Sequence, residues 1–330
     1  MSLIAVFTDT LPIASLADNL KSISHAFLSI VFEGAPYIMI GTLISGLIDA
    51  FLPANLIDRA LPRNAIVAVF LAGFMGLFFP VCECAVVPVI RRLVQKGLPL
   101  SCAMTYMLSA PIINPIVAAS TLTAFGEFPQ GDGWSLGVAT MTISRLSLGY
   151  AVAVIIGLVI LLFKPQSILR PAIAATLNRP LANGAQAATP SFNSRLIHAL
   201  RTAMSDFLDT GMYFCIGVII TSYFNTQIDQ AILKTVAGKE IVAVPSIMGL
   251  GFILSLCSTS DAFIAAPMAA FSMAAKLAFL VFGPMMDVKL MFMYSAVFRG
   301  KVVVYLLLGT FFLIAILSHF WIPLALHFKP

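Results

Sequence analysis

The segment GLFFPVCECAVVPVIRRLVQK, residues 76–96, decides how this chain is interpreted. It continues an uncharged run that begins at Asn64, and it places Glu83 between two cysteines before a pair of arginines closes it. A carboxylate at membrane depth costs about 2.5 kcal/mol or more and marks a functional site by default. The segment therefore indicates a polar, interrupted element inside a membrane, with Glu83 as a candidate functional residue.

The composition of the whole chain supports a membrane location. Of its 330 residues, 60% are apolar and 10% are charged, and the mean hydropathy is +1.01. A soluble domain carries roughly 25% charged residues, so most of this surface faces lipid. Several apolar runs approach the roughly 20 residues that a helix needs to span a bilayer. The net charge of +5 is too small and too scattered for a nucleic-acid-binding protein.

A polar segment separates two membrane-embedded halves. Residues 164–201 contain five basic residues and no acid, together with Pro, Asn, Gln and Gly. This composition predicts a loose linker. We therefore expect an N-terminal transmembrane repeat at 1–163, a basic linker at 164–201 and a C-terminal transmembrane repeat at 202–330.

Landmarks recur between the halves at a nearly constant spacing. An internal duplication, with hydrophobic segments interrupted at matching places, is typical of transporter folds and points to their binding site. The matched pairs are Glu33 and Asp209 at 176 residues, Gly76 and Gly251 and also Cys82 and Cys257 at 175, and Pro111 and Pro284 and also Asn114 and Asp287 at 173.

The basic residues predict how the halves are oriented. Lys and Arg concentrate on the cytoplasmic side of short loops, which places Arg63 and Arg91 on one side of the membrane. The segment between them is then a re-entrant hairpin or two thin crossings, and each half has an odd number of crossings either way. We predict an all-α polytopic membrane protein of two inverted repeats. Each repeat would have about three spans plus a broken hairpin, eight to ten segments in all.

Prolines mark the predicted interruptions. A proline removes a backbone donor, and non-helical backbone is tolerated in a membrane only where protein or a water-filled cavity surrounds it. We expect such breaks to line a cavity between the halves, although proline also serves close packing and helix kinks. The candidates are Pro80, Pro88, Pro111, Pro115, Pro267 and Pro284.

Two polar tips form the candidate substrate-binding site. In the first half, Cys82 and Cys84 flank Glu83; thiolates are soft ligands, while free cysteine also serves as a small buried hydrophobe. The second tip supplies one thiol, three hydroxyls and an acid. Its hydroxyls either bind a substrate or satisfy the backbone of their own turn. The residues of this tip are Cys257, Ser258, Thr259, Ser260 and Asp261.

Asn114 and Asp287 complete the candidate substrate-binding set, because each follows a matched proline by three residues. Asn114 could instead make an interhelical hydrogen bond, and Asp287 could pair with Lys289. Arg145, alone in its apolar span, either balances an acid or reaches toward the membrane interface.

Intramembrane carboxylates are also candidates for proton coupling. The sequence contains no nucleotide-binding motif such as GxxxxGK[ST], so we expect an ion gradient to drive transport. The candidates are Glu83, Asp261, Glu33 and Asp209, of which the last two could alternatively anchor the interface between the repeats. We predict no metal site and no cofactor.

The sequence resembles the YraQ/ArsP-type permease family in the segment quoted above, in MLSAPIINPIV and in SLCSTSDAFIAA, with a likeness that spans about residues 26–326. The resemblance implies a permease of the bacterial inner membrane, and some relatives export trivalent organoarsenicals. The family's P-x-C motif corresponds to Pro80 and Cys82, and its C-S-T-S-D motif to residues 257–261. Many relatives carry CSC where this chain carries CEC. The resemblance therefore implies the class of protein, but it does not imply the same cargo.

We therefore predict a secondary transporter rather than an enzyme. It would move a small, thiol-reactive or soft solute through a midplane site between the tips. Its partners would be the lipid bilayer and a small molecule or soft ion, without nucleic acid, and the sequence does not define an oligomer. The termini would be periplasmic and the linker cytoplasmic. The alternatives are a thiol-redox relay that uses Cys82, Cys84 and Cys257, and a passive channel.

Overall fold

A computed structural model describes residues 12–52, 61–78, 81–127, 134–171, 192–227 and 240–327. The expected break at Pro80 and residues 172–191 of the expected linker lie outside these ranges. Within them the secondary structure is helical. The β-type pairing found there is an isolated bridge between Leu169 and Phe298.

The first half contains two long helices with shorter ones between them. The helices are α1 (Pro12–Phe51), α2 (Ala65–Gly73), α3 (Met75–Phe78), α4 (Glu83–Gln95), α5 (Leu100–Ser109), α6 (Pro115–Glu127) and α7 (Trp134–Ile160). A single turn, α8 (Pro165–Ile168), follows at the start of the expected linker.

The second half repeats this order of elements. Its helices are α9 (Phe192–Gln227), α10 (Glu240–Leu254), α11 (Asp261–Ala265), α12 (Met273–Met285), α13 (Val288–Ser295) and α14 (Gly300–His327). In both halves a long helix is followed by an apolar helical segment, a polar tip, and a helix that starts at the tip. Two helices separated by a break and a second long helix then complete the half. Helix α9 already includes residues 192–201, the last part of the expected linker.

Five helical segments among the described residues are long and apolar enough to cross a membrane. Shorter apolar helices, such as Ala65–Phe78 and Leu100–Ser109, lie between them. The prediction of an all-α polytopic membrane protein is therefore confirmed. The five segments are Asn19–Phe51, Thr140–Ile160, Phe192–Thr226, Met273–Ser295 and Gly300–Trp321.

The broken helices occupy the centre of the molecule. Every residue of α5 is buried, and so is α12 from Ala275 to Met285. Both helices are mostly apolar around their circumference, and helices of this kind are typically buried. The long outer helices instead expose large apolar side chains, such as Phe32 on α1 and Phe312 on α14. The interrupted backbone is thus enclosed by protein, as a membrane requires.

The matched helices α1 and α9 pack against each other in antiparallel orientation. Gly34, near the middle of α1, lies against the ring of Phe214, in the second half of α9. Ser45, late in α1, hydrogen-bonds to Asp206, early in α9, at 2.8 Å. Residue numbers rise along one helix as they fall along the other, so the two helices run in opposite directions.

The predicted proline breaks have different outcomes. Pro111 lies in the turn between α5 and α6, and Pro284 is the penultimate residue of α12. Pro115 begins α6, where its missing N–H is harmless, and Pro267 lies in the turn after α11. The expected break at Pro88 is wrong. Helix α4 continues through it, because a proline in the second turn removes a single hydrogen bond and the surrounding protein holds the helix.

Candidate functional site

The two polar tips meet inside the protein. Cys82 is in extended backbone with φ −75° and ψ 168°, and α4 starts at the next residue, Glu83. The second tip is a turn that ends where α11 begins, at Asp261. The Ser258 hydroxyl of this turn donates a hydrogen bond of 3.2 Å to Glu83 Oε2. The contact joins residues from the two halves of the chain.

A small pocket lies beside this contact and collects thiols from both tips. It has room for about one water molecule, with a volume of about 10 Å³. Five of the predicted residues line it. One of these five, Glu33, does so from the exposed side of α1. The lining consists of Ile30, Glu33, Gly34, Tyr37, Cys82, Glu83, Cys84, Phe214, Cys257 and Lys289.

Lys289, on α13, is the main pocket residue that sequence reasoning did not select. Its ammonium group donates a 2.8 Å hydrogen bond to the Ser255 carbonyl. It also lies 3.5 Å from Glu83 Oε1 and 3.5 Å from Asp287 Oδ2. All three charged side chains are at most 5% exposed. The signal in the sequence is a lysine inside an apolar segment, where its nearest acid along the chain is Asp287.

Ser255, whose carbonyl accepts the Lys289 hydrogen bond, has an unusual backbone conformation. Ser255 follows α10 and has a φ of +49°, the left-handed region that non-glycine residues rarely adopt. Its hydroxyl lies 3.2 Å from Thr221 Oγ1 on α9. With the residue held there, its carbonyl accepts from Lys289 at the base of the second tip.

Asp261 lies outside the pocket lining and forms a buried ion pair. Its Oδ2 is 2.7 Å from an Arg145 nitrogen, and both side chains are at most 2% exposed. Arg145 also donates to Thr121 Oγ1 at 2.7 Å and to the Ser258 carbonyl at 2.9 Å. Of the two alternatives for Arg145, the structure therefore shows the first: Arg145 balances the charge of an acid, Asp261.

The two halves exchange their charged partners. The acid of the first tip, Glu83, faces a base of the second half, Lys289. The acid of the second tip, Asp261, faces a base of the first half, Arg145. Breaking a buried ion pair is costly because it leaves an uncompensated charge. These reciprocal pairs therefore hold the tips together.

The remaining hydroxyls of the second tip serve their own turn. Ser260 donates to the Cys257 carbonyl at 3.1 Å. The Thr259 hydroxyl lies 3.4 Å from the Cys257 sulfur. Ser258 is the member of the three that reaches across to the first half.

Asn114 and Asp287 occupy equivalent positions as N-caps. Asn114 Oδ1 accepts from the Ile116 amide at 2.9 Å at the start of α6. Asp287 Oδ1 accepts from the Leu290 amide at 2.7 Å at the start of α13. Such caps satisfy the free amides of a helix start. Both residues are buried beside the breaks, and neither lines the pocket.

Asp209 lies away from the pocket, in a separate charge cluster. It pairs with Arg91 at 3.2 Å and is half exposed. One helical turn earlier, Asp206 is 1% exposed and receives two hydrogen bonds from Arg92, of 2.7 and 2.9 Å. Nine residues of α4 separate Glu83 from Arg92, about 13 Å along the helix at 1.5 Å per residue. Asp206, on α9, is thus a buried, paired acid that the sequence analysis did not select.

The cluster extends to a wider open cavity of about 510 Å³. Asp49 lines it and lies 3.6 Å from Lys96 and 3.2 Å from His198. Among the residues that the structure describes, no group of three or more His, Cys, Asp or Glu side chains is arranged to hold a metal ion. The five cysteines are all free thiols.

Comparisons with known proteins agree with a membrane permease. Residues 19–320 match the ArsP_1 family, described as a predicted permease. The UPF0718 protein YcgR of Bacillus subtilis is 36% identical over 90% of this chain and 95% of its own length. A Streptococcus mutans protein, provisionally named as a subunit of a two-component membrane permease complex, is 32% identical over 83% of this chain and 86% of its own length. No solved structure matches. The chain therefore belongs to the ArsP_1 family of predicted permeases.

Proposed function

We propose that this permease is a secondary transporter of the bacterial inner membrane that exports a small, thiol-reactive solute of the organoarsenical type. One observation carries the proposal: thiols from both halves, Cys82, Cys84 and Cys257, line one pocket together with Glu83 and Lys289. Thiolates are the protein ligands that soft partners prefer, so this lining suits trivalent arsenic. The acid and the base would orient a polar substituent of the cargo.

The proposed mechanism is alternating access between two inverted repeats. The antiparallel packing of α1 and α9, which carry matched residues, supports an inverted rather than a parallel duplication. The pocket has room for about one water molecule, so a cargo enters only after the tips separate. Rocking of one repeat against the other would open the pocket to each side in turn.

Proton coupling would act through the carboxylates of the pocket. Glu83 is buried there, and Glu33 borders it from α1. Asp261 is engaged by Arg145, and Asp209 is paired outside the pocket with Arg91. The placement of Glu83 at the thiols favours it over the other three candidates.

The proposed orientation follows from the charge cluster. Arg91 and Arg92 lie at the end of α4 away from the pocket, and basic residues favour the cytoplasm. The 510 Å³ cavity beside Lys96 and His198 would then be the cytoplasmic entrance. The linker would be cytoplasmic and the termini periplasmic.

Uptake into everted membrane vesicles tests this function, with phenylarsine oxide as the trivalent arsenical probe. We expect gradient-driven uptake with the unaltered protein and its loss in Cys82→Ser and in Cys257→Ser. Cys102→Ser is the matched control, because Cys102 is buried in α5 outside the pocket. Undiminished uptake in both pocket variants, or equal loss in the control, contradicts the site.

The same vesicles separate the two alternative functions. A passive channel would give flux that persists after the proton gradient is collapsed. A thiol-redox relay would give mixed disulfides between Cys82 or Cys257 and another protein, trapped by acid quenching, without net accumulation of the probe. Either result replaces the proposed transporter.

A further inference from the structure

We propose that Glu83, Asp287 and Lys289 form a binding site for one proton, which the two carboxylates share. The coupling of this proton to cargo movement rests on the proposed transport function, whereas the binding site itself does not. The proposal assigns to Asp287 a role beyond capping its helix and beyond contact with a substrate.

The geometry centres on one nitrogen with three acceptors. Lys289 Nζ donates to the Ser255 carbonyl at 2.8 Å, which leaves two N–H groups for Glu83 and Asp287, each 3.5 Å away. Within the described residues, the ion pairs of both acids are made with this one lysine. One positive charge therefore faces two carboxylates.

Because the site is buried, its excess negative charge favours the binding of a proton. Asp287 is fully buried, and Glu83 is 1% exposed. With both acids ionised the site carries an uncompensated negative charge, which is expensive away from water. A proton on either oxygen pair removes that charge. The Arg145 and Asp261 pair has one charge of each sign and needs no proton.

The hydrogen bonds show which carboxylate oxygen is available to bind a proton. Glu83 Oε2 accepts from Ser258, and Asp287 Oδ1 accepts from the Leu290 amide. Asp287 Oδ2, by contrast, is buried and accepts no hydrogen bond within the described part of the chain, although the Lys289 ammonium group lies 3.5 Å from it. Buried polar atoms are normally paired, so this oxygen is the open position of the site. Asp261 Oδ1 also accepts no hydrogen bond within the described residues, but the charge of that carboxylate is balanced by Arg145.

The neighbouring groups do not supply the missing charge. From α9, Gly217 packs against the Lys289 backbone and Phe214 lines the pocket, and neither is charged. Tyr294 donates its hydroxyl to the Met285 carbonyl at 3.1 Å. The other titratable groups that face the site are Glu33 and Tyr37 from α1, Cys82 and Cys84 at the first tip and Cys257 at the second. The Arg145 and Asp261 pair adjoins Glu83 through Ser258 and carries one charge of each sign.

The chain itself shows that an ionisable cap is not needed. Asn114, the residue matched to Asp287, caps α6 with the same side-chain oxygen. Asparagine and aspartate are about equally good N-caps. The carboxylate at 287 is therefore additional to the capping role, and Asp287→Asn removes the titrating group while keeping the cap.

Infrared difference spectroscopy tests the site on purified protein in lipid nanodiscs, without any cargo. Lowering the pH should produce the C=O band of one buried protonated carboxyl group, shifted in D₂O. We expect Asp287→Asn and Glu83→Gln each to abolish this band. The double variant Arg145→Gln/Asp261→Asn is the control, because it removes the other buried acid together with its base, and it should retain the band. The fold of each variant is checked by circular dichroism.

The other outcomes overturn the proposal. Absence of the band in the unaltered protein, its survival in Asp287→Asn or Glu83→Gln, or its loss in the folded Arg145→Gln/Asp261→Asn variant would each do so. A band that behaves as expected in a protein that fails to transport phenylarsine oxide would retain the proton site and reject the proposed cargo. The two failures are thus distinguishable.

Discussion

Ser258 Oγ and Glu83 Oε2 are joined by a 3.2 Å hydrogen bond, and the two residues are 175 positions apart. That separation equals the spacing between the matched cysteines, Cys82 and Cys257. Ser258 therefore follows Cys257 as Glu83 follows Cys82. Residues related by a twofold axis contact each other only close to that axis, so this bond places the tips at the centre of any such symmetry.

Removing the Ser258 hydroxyl should destabilise the protein. Ser258→Ala leaves a buried carboxylate oxygen without its donor, which we expect to lower the free energy of unfolding by about 1–3 kcal/mol. Ser260→Ala is the matched control, because that hydroxyl serves the carbonyl of its own turn. Denaturant unfolding in detergent measures both. A larger loss in the control would contradict the importance of the contact between the tips.

Breaking the Arg145 pair should cost more than breaking a surface contact. Arg145→Gln leaves Asp261 buried without its base, and we expect a loss of about 3–5 kcal/mol. Adding Asp261→Asn should recover part of that loss, since the uncompensated charge disappears. Arg170→Gln, at an exposed arginine that stacks on Tyr213, should change stability by about 0.5 kcal/mol or less. A thermal unfolding series would show additive losses if the pair is unimportant.

Because α9 approaches α13 closely at Gly217, replacing this glycine should destabilise the protein. A Cβ atom on Gly217 would lie 2.6 Å from the Lys289 Cα, so the backbones would have to separate. We expect Gly217→Ala to cost about 1–3 kcal/mol, as overpacking generally does. On the same helix, a Cβ on Gly211 would meet nothing within 4 Å, and Gly211→Ala should be tolerated. Equal melting temperatures for the two variants would refute this packing.

Two acids of α9, three residues apart, should differ sharply in importance. Asp206 is buried with two hydrogen bonds from Arg92, whereas Asp209 is half exposed beside Arg91. We expect Asp206→Asn to lower the unfolding free energy by about 3–5 kcal/mol and Asp209→Asn by about 0–1 kcal/mol. Chemical denaturation at low and high salt checks both values. A reversed order would mean that α9 is rotated relative to the described packing.

The sequence predicted the parts of this molecule that local patterns control. Apolar runs located the helices, and matched landmarks located the tips and the breaks after Pro111 and before Asp287. The capping roles of Asn114 and Asp287 were also accessible, because both residue types favour helix starts. The wrong prediction at Pro88 arose because a proline early in a helix removes one bond without ending the helix.

What the sequence did not provide was the pairing between distant helices. Lys289 contacts Glu83 only because α13 packs against α4, and no local pattern reports that packing. Asp206 was overlooked beside Asp209 for a similar reason. The rotation of α9 about its axis decides which acid faces inward, and that rotation is set by the tertiary contacts.

The left-handed residue at the base of the second tip has a mechanical consequence. A non-glycine residue in this conformation costs roughly 1–2 kcal/mol, and at Ser255 the Lys289 ammonium group helps to maintain it. Any event that withdraws the lysine frees this backbone to relax. The strain would then favour the relaxed arrangement by a factor of roughly 5–30. In the proposed transport cycle, withdrawal of Lys289 would therefore help the tips to separate.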